Sequence, residues 1–196
     1  MLVELVDRYE SYVEGVGFSE EYIEEMMIED AMEFSNCHFE NCTFHHCRFR
    51  NVIFSKCRFT HCDFSNSTFK NCGLHHIHAQ DCKWMGTVLS DTRIRNMDLI
   101  ECNLRYAVFD TCKIDDMKFK QCYAPYIRFT QVQWKTITLQ DSDLSSCEFS
   151  STRLKGIDLR SCQIDGISVN LMDLKGVIVD VSQALQLCSL LEIVVK

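Results

Sequence analysis

Apolar residues recur along this chain every five positions. Phe34, Phe39, Phe44, Phe49, Phe54, Phe59, Phe64 and Phe69 are consecutive members of one column. The column runs on through Leu74, Ala79, Trp84, Leu89, Ile94, Leu99, Leu104, Phe109, Ile114, Phe119, Ala124, Phe129, Trp134, Leu139, Leu144 and Phe149 to Val179, and every member is apolar. A second column lies two residues earlier, from Met32 through Cys37, Cys42, Cys47 and Val52 to Val177, and holds small or apolar side chains. The other three places in each pentad are mostly Asn, Asp, Ser, Thr, Lys, Arg, His and Gln and read as solvent-facing.

A period of five matches neither an α-helix at 3.6 nor a flat strand at 2. It requires a path that turns after each short extended piece and returns its apolar positions inward. Stacking such turns buries a continuous core, as in solenoids generally. Like residues also recur every twenty positions: Cys42, Cys62, Cys82, Cys102 and Cys122, with Cys162 after Ser142. Four pentads to a coil would place them in one stack.

Composition changes the picture only at the cysteines. The chain has 196 residues, room for one ordinary domain, and 13 cysteines, which suggest a disulfide scaffold or a metal protein. Their positions argue otherwise. All but Cys188 fall in the small column, without a CxxC pair. Zinc sites need close ligands in tetrahedral array, and thiols stacked about 4.8 Å apart are too distant for an unstrained disulfide. They read as small buried hydrophobes, which points to a reducing compartment and cytoplasmic location. No apolar stretch is long enough for a membrane span, and the acidic start does not resemble a secretory signal.

The stretches CHFEN, CTFHH, CRFRN, CRFTH, CDFSN and STFKN resemble the pentapeptide repeat family, over residues 32–179. The resemblance implies an all-β solenoid, a right-handed quadrilateral β-helix of about 7.5 coils, roughly 36 Å long at about 4.8 Å per coil. Its repeat-core centres would be the phenylalanines above with Trp84, Phe109, Phe119, Phe129, Trp134 and Phe149. The tail, LMDLKGVIVDVSQALQLCSLLEIVVK, resembles the Qnr- and MfpA-type branch, whose members bind DNA gyrase and topoisomerase IV and protect them from quinolones. That likeness implies a capping helix including Leu187, Leu190 and Leu191, then a strand Ile193, Val194 and Val195 that pairs in a two-fold homodimer. Glu192 replaces the glycine usual before that strand. The unbroken register leaves no room for a projecting loop, and in this it resembles the MfpA type.

Three segments are expected: an acidic helical N-terminal cap (1–31), the β-helix (32–179), and a capping helix with dimerisation strand (180–196). At the N-terminus, Leu2, Val3, Leu5, Val6, Tyr9, Tyr12, Val13 and Val16 suggest an amphipathic helix closed by Gly15 and Gly17. Ser19 then looks like the N-cap of a second helix with Tyr22, Ile23, Met26 and Met27 on its apolar face. At the C-terminus, Asp180 or Ser182 can cap a helix over Gln183–Leu191 with Ala184, Leu187, Cys188 and Leu191 on one face.

The net charge is −8, but residues 1–33 carry −10 and the remainder +2. With four pentads per coil, the face centred on Phe34, Phe54 and Leu74 sums to about +4 and the next, beginning at Phe39, to about −3. Gyrase-binding members are thought to mimic DNA, and no face here approaches one charge per about 1.7 Å. Direct nucleic-acid binding is not expected from so acidic a chain. Arg48, Arg50, Arg93, Arg95, Arg153 and Lys155 read as solvated surface.

Catalytic motifs are missing: no GxSxG, HExxH, P-loop or dinucleotide glycine pattern. The seven histidines lie at outward positions, too dispersed for one metal. A solid rod offers no obvious catalytic pocket. The chain therefore reads as a non-enzymatic rod without cofactor, metal, membrane or small-molecule substrate. Its partner would be a type II topoisomerase, or alternatively another protein that it serves as structural adaptor. Tyr106, Tyr123 and Tyr126, clustered on the polar exterior near Met85, Val88, Val108 and Pro125, are the candidate contact residues.

Overall fold

The computed structural model describes residues 2, 4, 11–29, 31–188 and 190. It is a parallel β-solenoid of about 8 turns, with a short helix, Val181–Cys188, near its C-terminus. Short strands with the pattern exposed–buried–exposed, such as His38–Glu40 and Arg48–Arg50, alternate with corners. Corner residues adopt positive φ, at Asn36, Asn41, Asn51, Asn71, Asp81 and Gly86 among others. Asn, Asp and Gly tolerate that conformation best, which explains the polar residue two places after each column member.

Residues twenty apart pair in parallel. Phe34 lies opposite Phe54, Phe54 opposite Leu74, and Leu74 opposite Ile94. Four faces result. The first is centred on the column Phe34, Phe54, Leu74, Ile94, Ile114 and Trp134, and the second on Phe39, Phe59, Ala79, Leu99, Phe119 and Leu139. These two share a ten-stranded sheet. The third face holds Phe44, Phe64 and Trp84, and the fourth is an eight-stranded sheet through Phe49, Phe69, Leu89, Phe109, Phe129 and Phe149.

The core is the two columns. Rings stack along each face, Phe44 on Phe64 at 4.9 Å and Phe64 on Trp84 at 4.5 Å, and meet edge-on around the coil. Such pairs add about 0.5–1.5 kcal/mol each beyond area burial.

The expected helical cap over residues 11–28 is instead the first coil of the rod. Tyr12–Glu14, Gly17–Ser19, Tyr22–Glu24 and Met27–Ile28 are strands. Their buried residues, Val13, Phe18, Ile23 and Ile28, are themselves spaced by five. Tyr22 and Met27, expected on an apolar helical face, are exposed. Gly15 turns a corner at φ 67°. Leu2 and Glu4 are helical, and Leu2 is buried against the core. The expectations for Val3, Leu5, Val6 and Tyr9 lie outside the described residues.

The terminal helix begins at Asp180, one of the two expected caps. Asp180 Oδ1 accepts the Gln183 N–H at 2.8 Å, and Gln183 Oε1 accepts the Asp180 N–H at 3.0 Å, a reciprocal capping box. Its buried face differs from expectation. Ala184 is exposed, while Gln183 is buried and Leu187 packs on the core. Gln183 Nε2 donates to the carbonyls of Leu159 and Cys162 at 2.7 and 2.8 Å, so one amide satisfies two acceptors at the end of the rod.

Candidate functional site

Most of the polar chemistry of the interior lies in the small column. Most of these thiols point at main-chain carbonyls: Cys57 Sγ donates to Phe34 O at 3.3 Å, Cys72 Sγ to Phe49 O at 3.4 Å and Cys112 Sγ to Leu89 O at 3.4 Å. Thr92 and Thr152 do the same with hydroxyls. Cys42, Cys62, Cys82, Cys102, Cys122 and Cys162 are buried and free, as are the other column cysteines. Burial pushes the Cys57, Cys112 and Cys122 thiols up to about 12 and Cys72 to about 11. Such thiols are poor nucleophiles and poor metal ligands. Among the described residues, no group of three or more His, Cys, Asp or Glu is placed to hold a metal ion.

Among the described residues, the exterior carries one aromatic–cationic cluster. Tyr106 and Tyr126 occupy successive corners between the third and fourth faces and stack at 5.1 Å. The Arg105 guanidinium lies 4.7 Å from the Tyr106 ring centre and 5.9 Å from that of Tyr126, and Arg105 Nη2 donates to the Tyr106 hydroxyl at 3.0 Å. Both tyrosines are 47% exposed, as is Tyr123, and Met85 is exposed beside them. Both corners have positive φ, 63° and 61°. An aromatic residue there costs backbone strain that Asn or Gly avoids. The three tyrosines were legible as outward; Arg105 was not, because its role depends on the twenty-residue coil bringing Tyr126 under it.

Charge is distributed by face and by end. Glu14, Glu20, Glu24, Glu25 and Glu29 are exposed on the first coil, so the N-terminal acidity belongs to the rod itself. On the first face, Asp115 receives Lys135 at 2.9 Å, Arg93 at 3.1 Å and Arg95 at 3.2 Å. Lys135 and Arg93 hold its carboxyl down at about 2. Farther along that face, Arg153, Lys155 and Lys175 form no ion pair among the described residues.

Trp134, expected as a repeat-core centre, is only half-buried. It meets Phe129 and Phe149 edge-on at 5.5 and 6.3 Å, and its Nε1 donates to Arg153 O at 2.9 Å. A surface cleft of about 620 Å³ opens beside it, lined by Lys135, Arg153, Lys155, Gly156 and Ile157. The rod is therefore not smooth at this coil. Of the expected dimer residues, Leu187 and Leu190 are half-buried on their own chain, and Leu191, Ile193, Val194 and Val195 lie outside the described residues.

No protein of curated function matches the chain in sequence. Among solved structures, a trypsin-treated variant of QnrB1, a plasmid-mediated fluoroquinolone resistance protein, is 20% identical and covers 94% of this chain and 100% of its own, with a TM-score of 0.47. HetL, a pentapeptide repeat protein involved in heterocyst differentiation regulation in the cyanobacterium Nostoc, is 10% identical over 85% of this chain and 90% of its own, with a TM-score of 0.38. The pentapeptide repeat region pattern matches residues 52–129 and 92–149. With columns, coil and corners all in that register, the chain belongs to the pentapeptide repeat family.

Proposed function

We propose that this protein is a non-catalytic, cytoplasmic binding rod whose partner is a type II topoisomerase, DNA gyrase or topoisomerase IV, which it protects from quinolones. The observation that carries the binding reading is the Arg105–Tyr106–Tyr126 cluster. Tyrosine and arginine dominate the energetics of protein interfaces, and here they are preassembled on the outside of a rod whose interior is packed with phenylalanine. The choice of topoisomerase rests on the sequence: the loopless pentad register and the tail's likeness to the gyrase-binding branch. Exposed glutamates around the first coil support electrostatic attraction to a DNA-binding surface. A homodimer through the C-terminal helix and strand completes this reading.

A second reading is favoured by the cationic first face. A DNA-like surface has no use for Arg153, Lys155 and Lys175, which form no ion pair among the described residues, whereas an adaptor rod with another protein partner does.

The test is supercoiling by purified gyrase in the presence of ciprofloxacin while this protein is titrated. Topoisomerase protection predicts recovery of supercoiling at low micromolar protein or below, weakened by Tyr106→Ala with Tyr126→Ala. No recovery, with no inhibition in drug-free controls, refutes that partner and leaves the adaptor reading.

A further inference from the structure

The main-chain ladder follows one rule. The N–H of a column residue donates to the carbonyl nineteen residues later: Phe44 to Asp63, Phe64 to Lys83, Trp84 to Asn103, Leu104 to Tyr123, Ala124 to Asp143, Leu144 to Gln163 and Leu154 to Asp173, all at 2.7–2.9 Å. For Trp134 that acceptor is Arg153 O, and it receives the indole Nε1–H instead. The indole nitrogen lies several bonds out from the main-chain nitrogen, so the two coils stand apart here. Strand pairing up the first and second faces is accordingly interrupted above Gln133–Gln140 and resumes one coil on, where Leu154 N–H reaches Asp173 O and Leu159 N–H reaches Ile178 O, both at 2.8 Å. The third and fourth faces stay closed, with Gln163 N–H on Ser142 O at 3.0 Å and Ser168 N–H on Cys147 O at 2.9 Å. The coils are spread on two sides of four, and the opening forms two adjoining clefts of about 620 Å³ each.

We propose that this opening is an insertion site for an extended segment of a partner protein in which acidic and apolar residues alternate. Gln133–Gln140 is an eight-residue strand with one unpaired edge, the main-chain template that strand addition uses. The clefts run along it on both sides of the corner at Thr136 and Gly156, which suits an extended occupant over a compact one. An inserted strand presents alternate side chains to opposite sides. One set faces inward beside Ile137 and Ile157, and the other outward between Gln133 and Arg153 and between Lys135 and Lys155. Charge selects the outward set. The second cleft is internally neutral, because Arg160 pairs with Asp158 at 2.7 Å. The first keeps Arg153 and Lys155 without a carboxylate among the described residues, so outward glutamate or aspartate is what it complements. This inference is independent of the topoisomerase reading, since it uses a different face from Tyr106 and Tyr126.

The test titrates the full chain with a capped octapeptide of alternating glutamate and valine, and with its lysine–valine counterpart, following tryptophan emission. The expected result is a saturable change with the glutamate peptide only. Trp134→Phe should abolish it, because the remaining tryptophan, Trp84, is buried. Arg153→Glu with Lys155→Glu should weaken binding by at least about tenfold. Arg153→Gln with Lys155→Gln should weaken it less and serves if charge reversal unfolds the protein, as judged by circular dichroism. Equal response to both peptides, no response up to millimolar peptide, or undiminished binding by the folded variants overturns the proposal. So does an identical response to inorganic phosphate, which would mark a simple anion cleft. Loss or gain of gyrase protection bears on none of these outcomes.

Discussion

Val13 lies opposite Phe34, twenty-one residues on, whereas Phe34 lies opposite Phe54, twenty residues on. The same extra residue separates Phe18 from Phe39, Ile23 from Phe44 and Ile28 from Phe49. Thiol contacts record it too: Cys37, Cys42 and Cys47 reach back 24 residues to a carbonyl, while Cys57 reaches back 23. One residue between Ile28 and Met32 is therefore slack at the junction between the first and second coils. Phe18 is 1% exposed and stacks on Phe39 at 4.8 Å. Phe18→Ala should cost about 3–5 kcal/mol in chemical denaturation, as a core phenylalanine does. A cost below about 1 kcal/mol would mean that the first coil is not part of the cooperative rod.

That slack explains what the sequence hid. From Phe34 onward, column and coil were legible because the repeat is uninterrupted and the coil length is constant. The first coil carries the same spacing at Val13, Phe18, Ile23 and Ile28, but its register is displaced by one, and Glu21 stands where a small residue is usual. Local charge and the helical spacing of Tyr22, Met26 and Met27 then suggested a helix. The tyrosine cluster was half legible, since outward position follows from the pentad but the partner twenty residues away does not. Trp134 was illegible as a wedge. Trp84 occupies the same kind of position and is fully buried, stacked on Phe64.

Gln183 tests the C-terminal closure. Its amide ties the helix start to two carbonyls of the preceding coil. Gln183→Leu removes both donors and half of the capping box, leaving buried acceptors unpaired at about 1–3 kcal/mol. Gln183→Glu should be worse, because a carboxylate would face the carbonyls of Leu159 and Cys162. Thermal melts of the three proteins should rank wild type, Leu, Glu in falling order. A Glu variant as stable as wild type would show that these contacts do not hold the end closed.

The cysteine column gives stability a pH dependence. Burial holds Cys57, Cys112 and Cys122 neutral up to about 12, whereas an unfolded thiol ionises near 9. The unfolded chain thus gains thiolate first. Stability from these groups is complete below pH about 9 and falls as pH rises toward 12. The urea midpoint should drop between pH 8 and 10.5, and less steeply in a Cys57→Val, Cys112→Val variant. An equal slope in both proteins would assign the alkaline loss to other groups.

Tyr106 and Tyr126 set stability against contact. Asparagine is common at these corners, and it accepts positive φ more readily than tyrosine. Tyr106→Asn with Tyr126→Asn relieves strain of about 1 kcal/mol per corner and forfeits a surface stack of about the same size. Folding stability should stay within about 1 kcal/mol of wild type while partner binding is lost. A large destabilisation would instead make the stack a structural clamp.

Trp134 separates a wedge from a passive gap. Leu74 and Leu154 occupy the same column, and leucine there is small enough for the ladder to close. With Trp134→Leu, Arg153 O regains the main-chain donor that the nineteen-residue rule assigns to it. Hydrogen exchange over Gln133–Gln140 should then slow by about tenfold, as open-edge amides acquire partners. Global stability should change little, because each hydrogen bond regained nets about 1 kcal/mol and the lost edge contacts with Phe129 and Phe149 return a similar amount. Unchanged exchange would mean that the coils part for a reason other than the indole. Followed by calorimetry, since its reporting indole is gone, the closed variant should also refuse the alternating acidic peptide even though Arg153 and Lys155 remain, which tells insertion into the ladder apart from attraction to its charges.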